Sequence, residues 1–160
     1  MPALVAFHRA LYLDEPARFL SQELVEHYAY RDMDELVAHD IHGLLVDGVS
    51  TVLIAELEGV PAGYIIGHVE DDPRRVLPRV GLVTDWLIVE RERHRGIGRQ
   101  LMESLTSVFV RLGCDAVESR TYAANRGALR AHAALGFCEV EIRMRRSCAR
   151  PLPTDARACR

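Results

Sequence analysis

The sequence predicts a single domain of mixed α/β class, and three observations support that prediction. The chain has 160 residues, which suits one compact domain and is too short for two full enzyme domains. Hydrophobic residues make up 49% and charged residues 27%, the usual balance of a folded globular chain. Stretches rich in β-branched residues also alternate with stretches in which apolar residues recur at helical spacing.

Four stretches carry the helical spacing. The clearest runs from Gly96 to Gly113 and is apolar along one face, with a glycine to end it. Asp14 is the predicted N-cap of the first helix, and Asn125 is the predicted N-cap of the last. The predicted helices cover 14–29, 32–46, 96–113 and 126–135.

Five stretches are typical of strands. The first two flank Glu58-Gly59, a pair of residues that favours a tight hairpin turn, so this part of the sheet is expected to be antiparallel. The third is rich in branched and aromatic residues, which favours a central strand. The predicted strands cover 50–57, 62–70, 80–89, 115–121 and 137–146.

These elements fill residues 1–146, which we expect to form the one domain. Residues 147–160 contain two prolines and little apolar content, so we expect a flexible tail there. No stretch approaches the roughly 18 consecutive apolar residues that a membrane span needs. His8 and Arg9 interrupt the apolar N-terminus, which argues against a secretory signal. A cytoplasmic protein without membrane contact is therefore expected.

Composition excludes several classes of chemistry. The net charge of −3 argues against a protein that coats nucleic acid, and no nucleic-acid partner is expected. All 20 basic residues are arginine, so the chain has neither a P-loop lysine nor a Schiff-base lysine. The four cysteines form no Cys-x-x-Cys pair and match no common zinc spacing, so no metal site is expected.

Charge is unevenly distributed along the chain. Residues 1–80 carry 6 Arg against 14 acidic residues, whereas residues 81–160 carry 14 Arg against 9 acidic residues. This asymmetry favours an anionic ligand held by the second half and a cationic ligand held by the first. Scatter of charges over a solvated surface would give the same counts.

The most informative segment joins the central strand to the long helix. Its residues are Arg93, His94, Arg95, Gly96, Ile97, Gly98 and Arg99. Glycines let a ligand approach the backbone, free N–H groups at a helix start attract an anion, and arginines add bidentate donors. The segment therefore predicts a phosphate-binding site. It lacks the Gly-Lys-Ser/Thr of a Walker loop and the third glycine of a dinucleotide fingerprint, and a plain turn with solvated arginines is the alternative.

The pattern Arg93-x-x-Gly96-x-Gly98 resembles the coenzyme A pyrophosphate motif of the GNAT N-acetyltransferase superfamily, Arg/Gln-x-x-Gly-x-Gly/Ala. Three further segments are similar to that family in order and spacing. They are the hairpin around Glu58-Gly59 and Gly63-Tyr64, the strand Asp85-Trp86-Leu87-Ile88, and Asn125-x-x-Ala128 followed by Leu135-Gly136-Phe137. The resemblance spans about residues 3–146 and implies a mostly antiparallel central sheet, splayed at strands four and five and flanked by about four helices.

The resemblance also implies acetyl-CoA as the co-substrate and a role for each matched segment. Backbone groups of Trp86, Leu87 and Ile88 would pair with the pantetheine arm and the thioester carbonyl, as an added strand would. Residues 93–99 would hold the pyrophosphate. Asn125 would contact the pantetheine or cap the last helix.

The implied reaction is direct attack of a primary amine on the thioester, which needs a base, an oxyanion donor and an acid. Many family members place the acid, a tyrosine, seven residues after the asparagine. In this sequence that position is His132. An imidazolium can donate a proton near neutral pH, so His132 is the predicted catalytic acid. A packed or capping histidine is the alternative.

The base is not assigned. Some family members carry a glutamate just before the strand's aspartate, where this chain has Thr84, which cannot act as a base. Asp85 is expected to be structural or to orient the substrate, and alternation puts it on the other face of the sheet unless a bulge intervenes. Glu26 is the second predicted substrate residue, in an acidic group that attracts a cationic amine or forms a solvated face. That group is Glu26, Asp32, Asp34, Glu35 and Asp40.

The sequence thus predicts an acetyl-CoA-dependent N-acetyltransferase whose acceptor is the amine of a small molecule, such as a polyamine, an aminoglycoside or an amino acid. A protein or peptide N-acetyltransferase is the alternative within this class. A non-catalytic acyl-CoA-binding sensor is the alternative from another class, favoured by Thr84 and His132 in place of the usual catalytic residues. The family often dimerises, so a homodimer is a further expectation by analogy.

Overall fold

The computed structural model describes residues 2–145, and the predicted tail at 147–160 lies outside them. The mixed α/β class is confirmed. The helices are α1 (Pro2–Phe19), α2 (Gln22–Glu26), α3 (Met33–Val46), α4 (Ile97–Arg111) and α5 (Arg126–Ala133). The strands are β1 (Ser50–Leu57), β2 (Val60–Asp71), β3 (Arg79–Ile88) and β4 (Ala116–Ser119). No helix within the described range is long and apolar enough to cross a membrane.

The sheet is mostly antiparallel, as predicted. Its strand order is β1-β2-β3-β4, and only β4 runs parallel to its neighbour. Glu58 and Gly59 form the β1–β2 turn with φ values of 51° and 78°, the left-handed conformation that a two-residue hairpin turn requires. β3 and β4 are the strands that the family resemblance numbers four and five. The numbers differ by one because the described chain begins with a helix, and no strand precedes that helix.

The sheet buries a hydrophobic core on each face. α4 covers one face, where the Phe109 ring lies so close to Gly67 and Gly81 that a Cβ at either glycine would overlap it. α1 and α3 cover the other face. The second core consists of Leu4, Val37, Ile41, Tyr64 and Ile66. The sheet is therefore held between α4 on one side and the N-terminal helices on the other.

The predicted start of the first helix was wrong. α1 begins at Pro2 rather than near Asp14, and α2 follows as a separate short helix, so residues 2–145 contain five α-helices where about four were expected. The buried residues of α1 are Leu4, His8 and Pro16, whose spacing of four or a multiple of four places them on one helix face. The polar His8 hid that face, because the sequence alone does not show the partner that allows a histidine to be buried.

The predicted final strand was also wrong. Residues 138–145 form no regular secondary structure, although apolar and charged residues alternate there. The apolar side chains of Val140, Ile142 and Met144 are exposed. Within the described range β4 pairs only with β3, so this segment has no strand to satisfy its backbone hydrogen bonds.

Candidate active site

The sheet opens at Thr84. The pairing of β2 with β3 skips Thr84, which forms a β-bulge between Val83 and Asp85. β4 pairs with β3 from Val80 to Val83 and stops there. Among residues 2–145 no strand covers the β4 side of β3 beyond the bulge. The two strands therefore splay at this point, as the resemblance implied.

The open edge of β3 presents the backbone groups of Trp86 and Ile88. Across the β2–β3 pair, Val89 N–H donates to the Ala62 carbonyl at 2.9 Å, and hydrogen-bonded pairs alternate with unbonded pairs along an antiparallel ladder. Leu87 therefore turns its N–H and C=O toward β2, whereas Trp86 and Ile88 turn theirs outward. An extended ligand can pair with such an edge as an added strand does.

The loop between β3 and α4 brings backbone N–H groups to the same place. His94 and Gly96 adopt left-handed backbone conformations, with φ values of 63° and 82°, and at His94 this is a strained conformation of the kind found at ligand sites. The first turn of α4, from Ile97, leaves N–H groups without helical partners. A Cβ on Gly98 would lie 3.1 Å from Trp86 Cζ2, so glycine lets the loop lie against the strand.

Arg93 and Arg95 of this loop and Arg99 in the first turn of α4 bind local partners and retain further N–H donors. Arg93 Nε donates to the Ile88 carbonyl at 3.2 Å, and Arg95 pairs with Glu92 at 2.6 Å. Arg99 donates to the carbonyl of Ala134, the residue after α5, at 3.1 Å. A guanidinium carries five N–H donors, so each arginine retains donors for an anion. The Arg95 pair is solvent-exposed and therefore weak, so an anionic ligand can displace it.

His132 lies where β3 and β4 part. Its ring packs edge-on against Trp86 and Phe137, with centroid distances of 5.1 and 5.2 Å. Nδ1 is 2.7 Å from the Ala128 carbonyl, so Nδ1 carries a hydrogen, and Nε2 is 2.8 Å from Ser119 Oγ at the end of β4. The structure therefore brings the predicted acid next to Trp86. Both ring nitrogens have hydrogen-bond partners, and the Ser119 hydroxyl links Nε2 to the gap between β3 and β4.

Asn125 caps α5 and ties it to α1. Its Oδ1 accepts from the Ala128 N–H at 3.0 Å, and its Nδ2 donates to Glu15 Oε2 at 3.3 Å. Burial raises the pKa of Glu15, while the charges of Arg93 and Arg18 act in the opposite direction. The structure thus shows the cap, and a contact between Asn125 and pantetheine stays a prediction.

A cavity of about 450 Å³ reaches the bulge from the face covered by α1 and α3. Imidazole and carboxylate groups dominate its walls. They belong to His8, His39, His68, Asp40, Asp47 and Asp85. Of the residues predicted from the acidic first half, Asp40 lines this cavity, whereas Glu26 is exposed at the end of α2 and is not part of its wall.

Asp85 is the centre of a buried hydrogen-bond network beside this cavity. His8 Nδ1 lies 2.7 Å from Asp85 Oδ2, the Tyr64 hydroxyl donates to the same oxygen at 3.0 Å, and the Tyr12 hydroxyl donates to Oδ1 at 3.4 Å. Burial and then the charge of Asp85 raise the pKa of both tyrosines, so both stay protonated. The bulge breaks the alternation of side chains along β3, and Asp85 therefore lies on the cavity side of the sheet.

Sequence reasoning missed His8, which is 3% exposed. One local signal could have found it. Leu4, His8, Tyr12 and Pro16 are spaced by four residues, so a helix through residues 2–19 puts His8 in the middle of its buried face.

Comparisons with known proteins agree with this geometry. The profile of the Acetyltransferase (GNAT) family matches residues 8–137. A mutant of the BH1408 protein from Bacillus halodurans has a TM-score of 0.76 at 19% identity, with 90% of each chain covered. A predicted acetyltransferase from Clostridium acetobutylicum, solved with acetyl-CoA, has a TM-score of 0.70 at 14% identity, with 92% of this chain and 90% of that chain covered.

A third solved structure also contains a ligand, a bisubstrate analogue. AAC(6')-Iy in complex with the bisubstrate analogue CoA-S-monomethyl-acetylneamine has a TM-score of 0.63 at 22% identity, with 88% of this chain and 92% of that chain covered. At these identities the solved structures show a shared fold. No curated protein matches this sequence.

Proposed function

Since the chain belongs to the acetyltransferase (GNAT) family and is an N-acetyltransferase, we propose that it transfers an acetyl group from acetyl-CoA to a primary amine of a small cationic molecule. One observation carries this proposal. The open edge of β3 lies between an arginine-rich loop on one side and an acidic cavity on the other. A donor held by the loop and an acceptor held by the cavity would meet at that edge.

The residues present fit acetyl-CoA. Trp86 offers its outward N–H and C=O, and Ile88 offers its outward N–H, for an extended arm, while Arg93 already occupies the Ile88 carbonyl. Gly98 keeps the loop close to that edge. Free N–H groups at the start of α4 and the reserve donors of Arg93 and Arg95 suit a pyrophosphate. When bound, acetyl-CoA supplies the thioester carbonyl that the amine attacks.

The acceptor side is suited to a cation. Hydrogen bonds from Ser50 and Val49 hold the pKa of Asp47 below its usual range, so this carboxylate stays ionised in the cavity wall. Asp40 and Asp85 line the same cavity. We therefore retain Asp85 as a predicted substrate-orienting residue, and Glu26 stays a prediction whose position is outside the cavity wall. The bisubstrate analogue bound by AAC(6')-Iy, which joins CoA to an acetylated aminoglycoside fragment, supports a small polyamine-like acceptor.

The reaction balances when nitrogen loses two protons, sulfur gains one, and one proton is released to solvent. The ammonium gives up one proton before attack, and its nitrogen then forms a bond to the carbonyl carbon. The carbon–sulfur bond breaks with its electron pair on sulfur, the second proton leaves nitrogen, and sulfur takes up a proton as thiol. We propose His132 as the source of that last proton, passed by way of the Ser119 hydroxyl, because Nε2 and Oγ are 2.8 Å apart.

The first test is binding, followed by turnover. Thermal unfolding is measured with acetyl-CoA, desulfo-CoA and NAD, and a ligand at 100 times its dissociation constant adds about 2.7 kcal/mol. For a chain of this size that free energy raises Tm by roughly 5–10 °C. We expect a shift with both CoA compounds and none with NAD.

A panel of polyamines, aminoglycosides, amino acids and N-terminal peptides is then assayed for release of free thiol. Release with the small cationic amines supports the proposal. Binding without release from any amine would instead indicate the acyl-CoA sensor, and release only with peptides would indicate the protein N-acetyltransferase. No Tm shift with either CoA compound, in protein shown by mass spectrometry to carry no ligand, would overturn the assignment of the cofactor site.

A further inference from the structure

We propose that His8 is the general base that takes the proton from the acceptor amine, and that Asp85 is the residue that positions it. This inference rests on the proposed function. It starts from the 2.7 Å contact between His8 Nδ1 and Asp85 Oδ2, inside a network that sequence reasoning did not anticipate. Both side chains are almost fully buried, at 4% and 2% exposure, and both line the cavity assigned to the acceptor.

The contact determines which nitrogen of His8 is available. An ionised carboxylate only accepts hydrogen bonds, so Nδ1 must carry the hydrogen that points to Asp85. Nε2 then holds the lone pair, and among the described residues it has no hydrogen-bond partner. A carboxylate that fixes one nitrogen in this way makes the other a proton acceptor and stabilises the imidazolium that forms.

Asp85 is itself held in place. The Tyr64 hydroxyl donates to Oδ2 at 3.0 Å and the Tyr12 hydroxyl donates to Oδ1 at 3.4 Å, so both oxygens are engaged. Since these bonds and His8 occupy the carboxylate, Asp85 orients the substrate through His8 rather than by direct contact. The Tyr12 ring also packs beside His8, with centroids 4.4 Å apart and the rings tilted by 37°, and restricts its orientation.

The surroundings of His8 suit a base for a cationic amine. Charged and titratable groups face this cavity from every element around it. They are Tyr12 from α1, His39 and Asp40 from α3, Asp47 after α3, His68 from β2, and Asp85 from β3. Tyr64 from β2 faces His8 behind the cavity wall. The carboxylates attract an ammonium, and no arginine lines the cavity within residues 2–145 to oppose this.

The position relative to the reaction also fits. Thr84 and Asp85 both line the cavity, and Trp86, the next residue, turns its backbone to the open edge where the thioester is proposed to lie. The base and the proposed acid, His132, therefore approach β3 from opposite faces of the sheet. One would remove a proton from nitrogen and the other would deliver one to sulfur.

The test compares His8→Gln with His42→Gln, a matched change at an exposed histidine of α3 outside the cavity wall. General base catalysis typically contributes about 10²- to 10⁴-fold, so we expect kcat/KM of His8→Gln to fall by roughly that factor at pH 7. The Tm shift with acetyl-CoA should persist. The acidic limb of the wild-type pH–rate profile should disappear, and the defect should shrink as the pH rises, because the amine then arrives unprotonated.

Asp85→Asn tests the positioning role with His8 still present. We expect a lower kcat, an unchanged KM for acetyl-CoA and a displaced acidic limb, whereas a purely structural role would lower stability and leave the limb in place. If His8→Gln does not unfold cooperatively and is therefore not properly folded, Asp85→Asn serves as the test in its place.

The outcomes separate the two proposals. A folded His8→Gln that retains the wild-type rate and acidic limb would overturn the base and leave the transferase function standing. A wild-type protein that acetylates no amine in the panel would overturn both.

Discussion

The change Tyr64→Phe tests how much the buried network around Asp85 stabilises the fold. The Tyr64 side chain has 0% exposure, and its hydroxyl donates to Asp85 at 3.0 Å. Phenylalanine keeps the ring stacked on Phe7, with centroids 5.8 Å apart, so the change removes a hydrogen bond and little packing. A hydrogen bond to a charged group contributes about 1.5–3 kcal/mol. We expect the free energy of unfolding to fall by that amount, which lowers Tm by roughly 3–12 °C at this chain length.

The pH dependence of this loss has a definite sign. Burial and the charge of Asp85 raise the pKa of Tyr64 above the value of about 10 that tyrosine has in an unfolded chain. The contribution of Tyr64 is therefore fully present below about pH 10 and is lost as the pH rises toward the folded pKa, because the unfolded state then releases the proton first. The stability difference between wild type and Tyr64→Phe should be constant from pH 7 to pH 9 and should shrink at pH 11.

Chemical denaturation at these three pH values, followed by circular dichroism, gives the measurement. Tyr30→Phe is the matched control, because Tyr30 is 52% exposed, and its effect should stay within about 0.5 kcal/mol. Equal unfolding free energies for Tyr64→Phe and wild type at pH 7 would refute the reasoning. So would a difference between them that grows at pH 11.

Three further predictions concern the cofactor loop, the acid and the core. Replacing Arg93 and Arg95 together by alanine should weaken acetyl-CoA binding by roughly tenfold or more at low salt, and the loss should diminish as salt rises. His132→Phe keeps the packing against Trp86, so it should preserve acetyl-CoA affinity and lower the transfer rate by roughly 10²-fold. Phe109→Ala should cost about 3–5 kcal/mol of stability, since Phe109 is 1% exposed at the centre of the α4 core.

Each of these has a matched control. Arg74 and Arg75 replaced together by alanine remove the same charge from the loop after β2, and this variant should bind acetyl-CoA as the wild type does. Equal affinity in the Arg93 and Arg95 variant would remove the phosphate assignment. Binding is followed by the acetyl-CoA-induced Tm shift at low and high salt.

His42→Phe is the control for His132→Phe, and an unchanged transfer rate in His132→Phe would reject the acid role. Val110→Ala lies next to Phe109 on α4 but is 66% exposed, so it should change stability by less than about 0.5 kcal/mol. Thermal unfolding compares the two helix variants, and similar losses would contradict the assignment of the core.

The elements that sequence predicts well are those whose pattern is local. The strand predicted at 50–57 has the same bounds in the structure, and its turn at Glu58-Gly59 adopts the conformation that those residues favour. The helix after Gly96 is also correct to within two residues, because its apolar face and its terminal glycines are read directly from spacing. The loop at 93–99 is local in the same sense, since its glycines and arginines are contiguous, and phosphate binding by it stays a prediction.

Features that depend on distant partners were not predictable in the same way. The face of α1 is buried through His8, and a histidine is buried there because Asp85, far along the chain, pairs with it. The segment at 138–145 has the alternation of a strand but finds no strand to pair with among the described residues, so its pattern alone did not decide its structure. Both errors have one cause. A local pattern shows which structures a segment can adopt, and its contacts with distant residues determine which of them it adopts.

The bulge at Thr84 shows that one unpaired residue determines on which face of the sheet the following side chains lie. Strict alternation would place Val83 and Asp85 on one face, yet Val83, Trp86 and Ile88 all belong to the α4-side core. The extra residue moves Asp85 to the face of His8 and turns the backbone of Trp86 to the open edge. A signal of the bulge was present in the sequence. Two adjacent polar residues, Thr84 and Asp85, interrupt a strand that is otherwise apolar. In a regular strand one of them would lie on each face, so both faces could not be buried there. Adjacent polar residues in a buried strand that leads into a glycine- and arginine-rich loop therefore predict a bulge, and with it the face on which the proposed acceptor cavity lies.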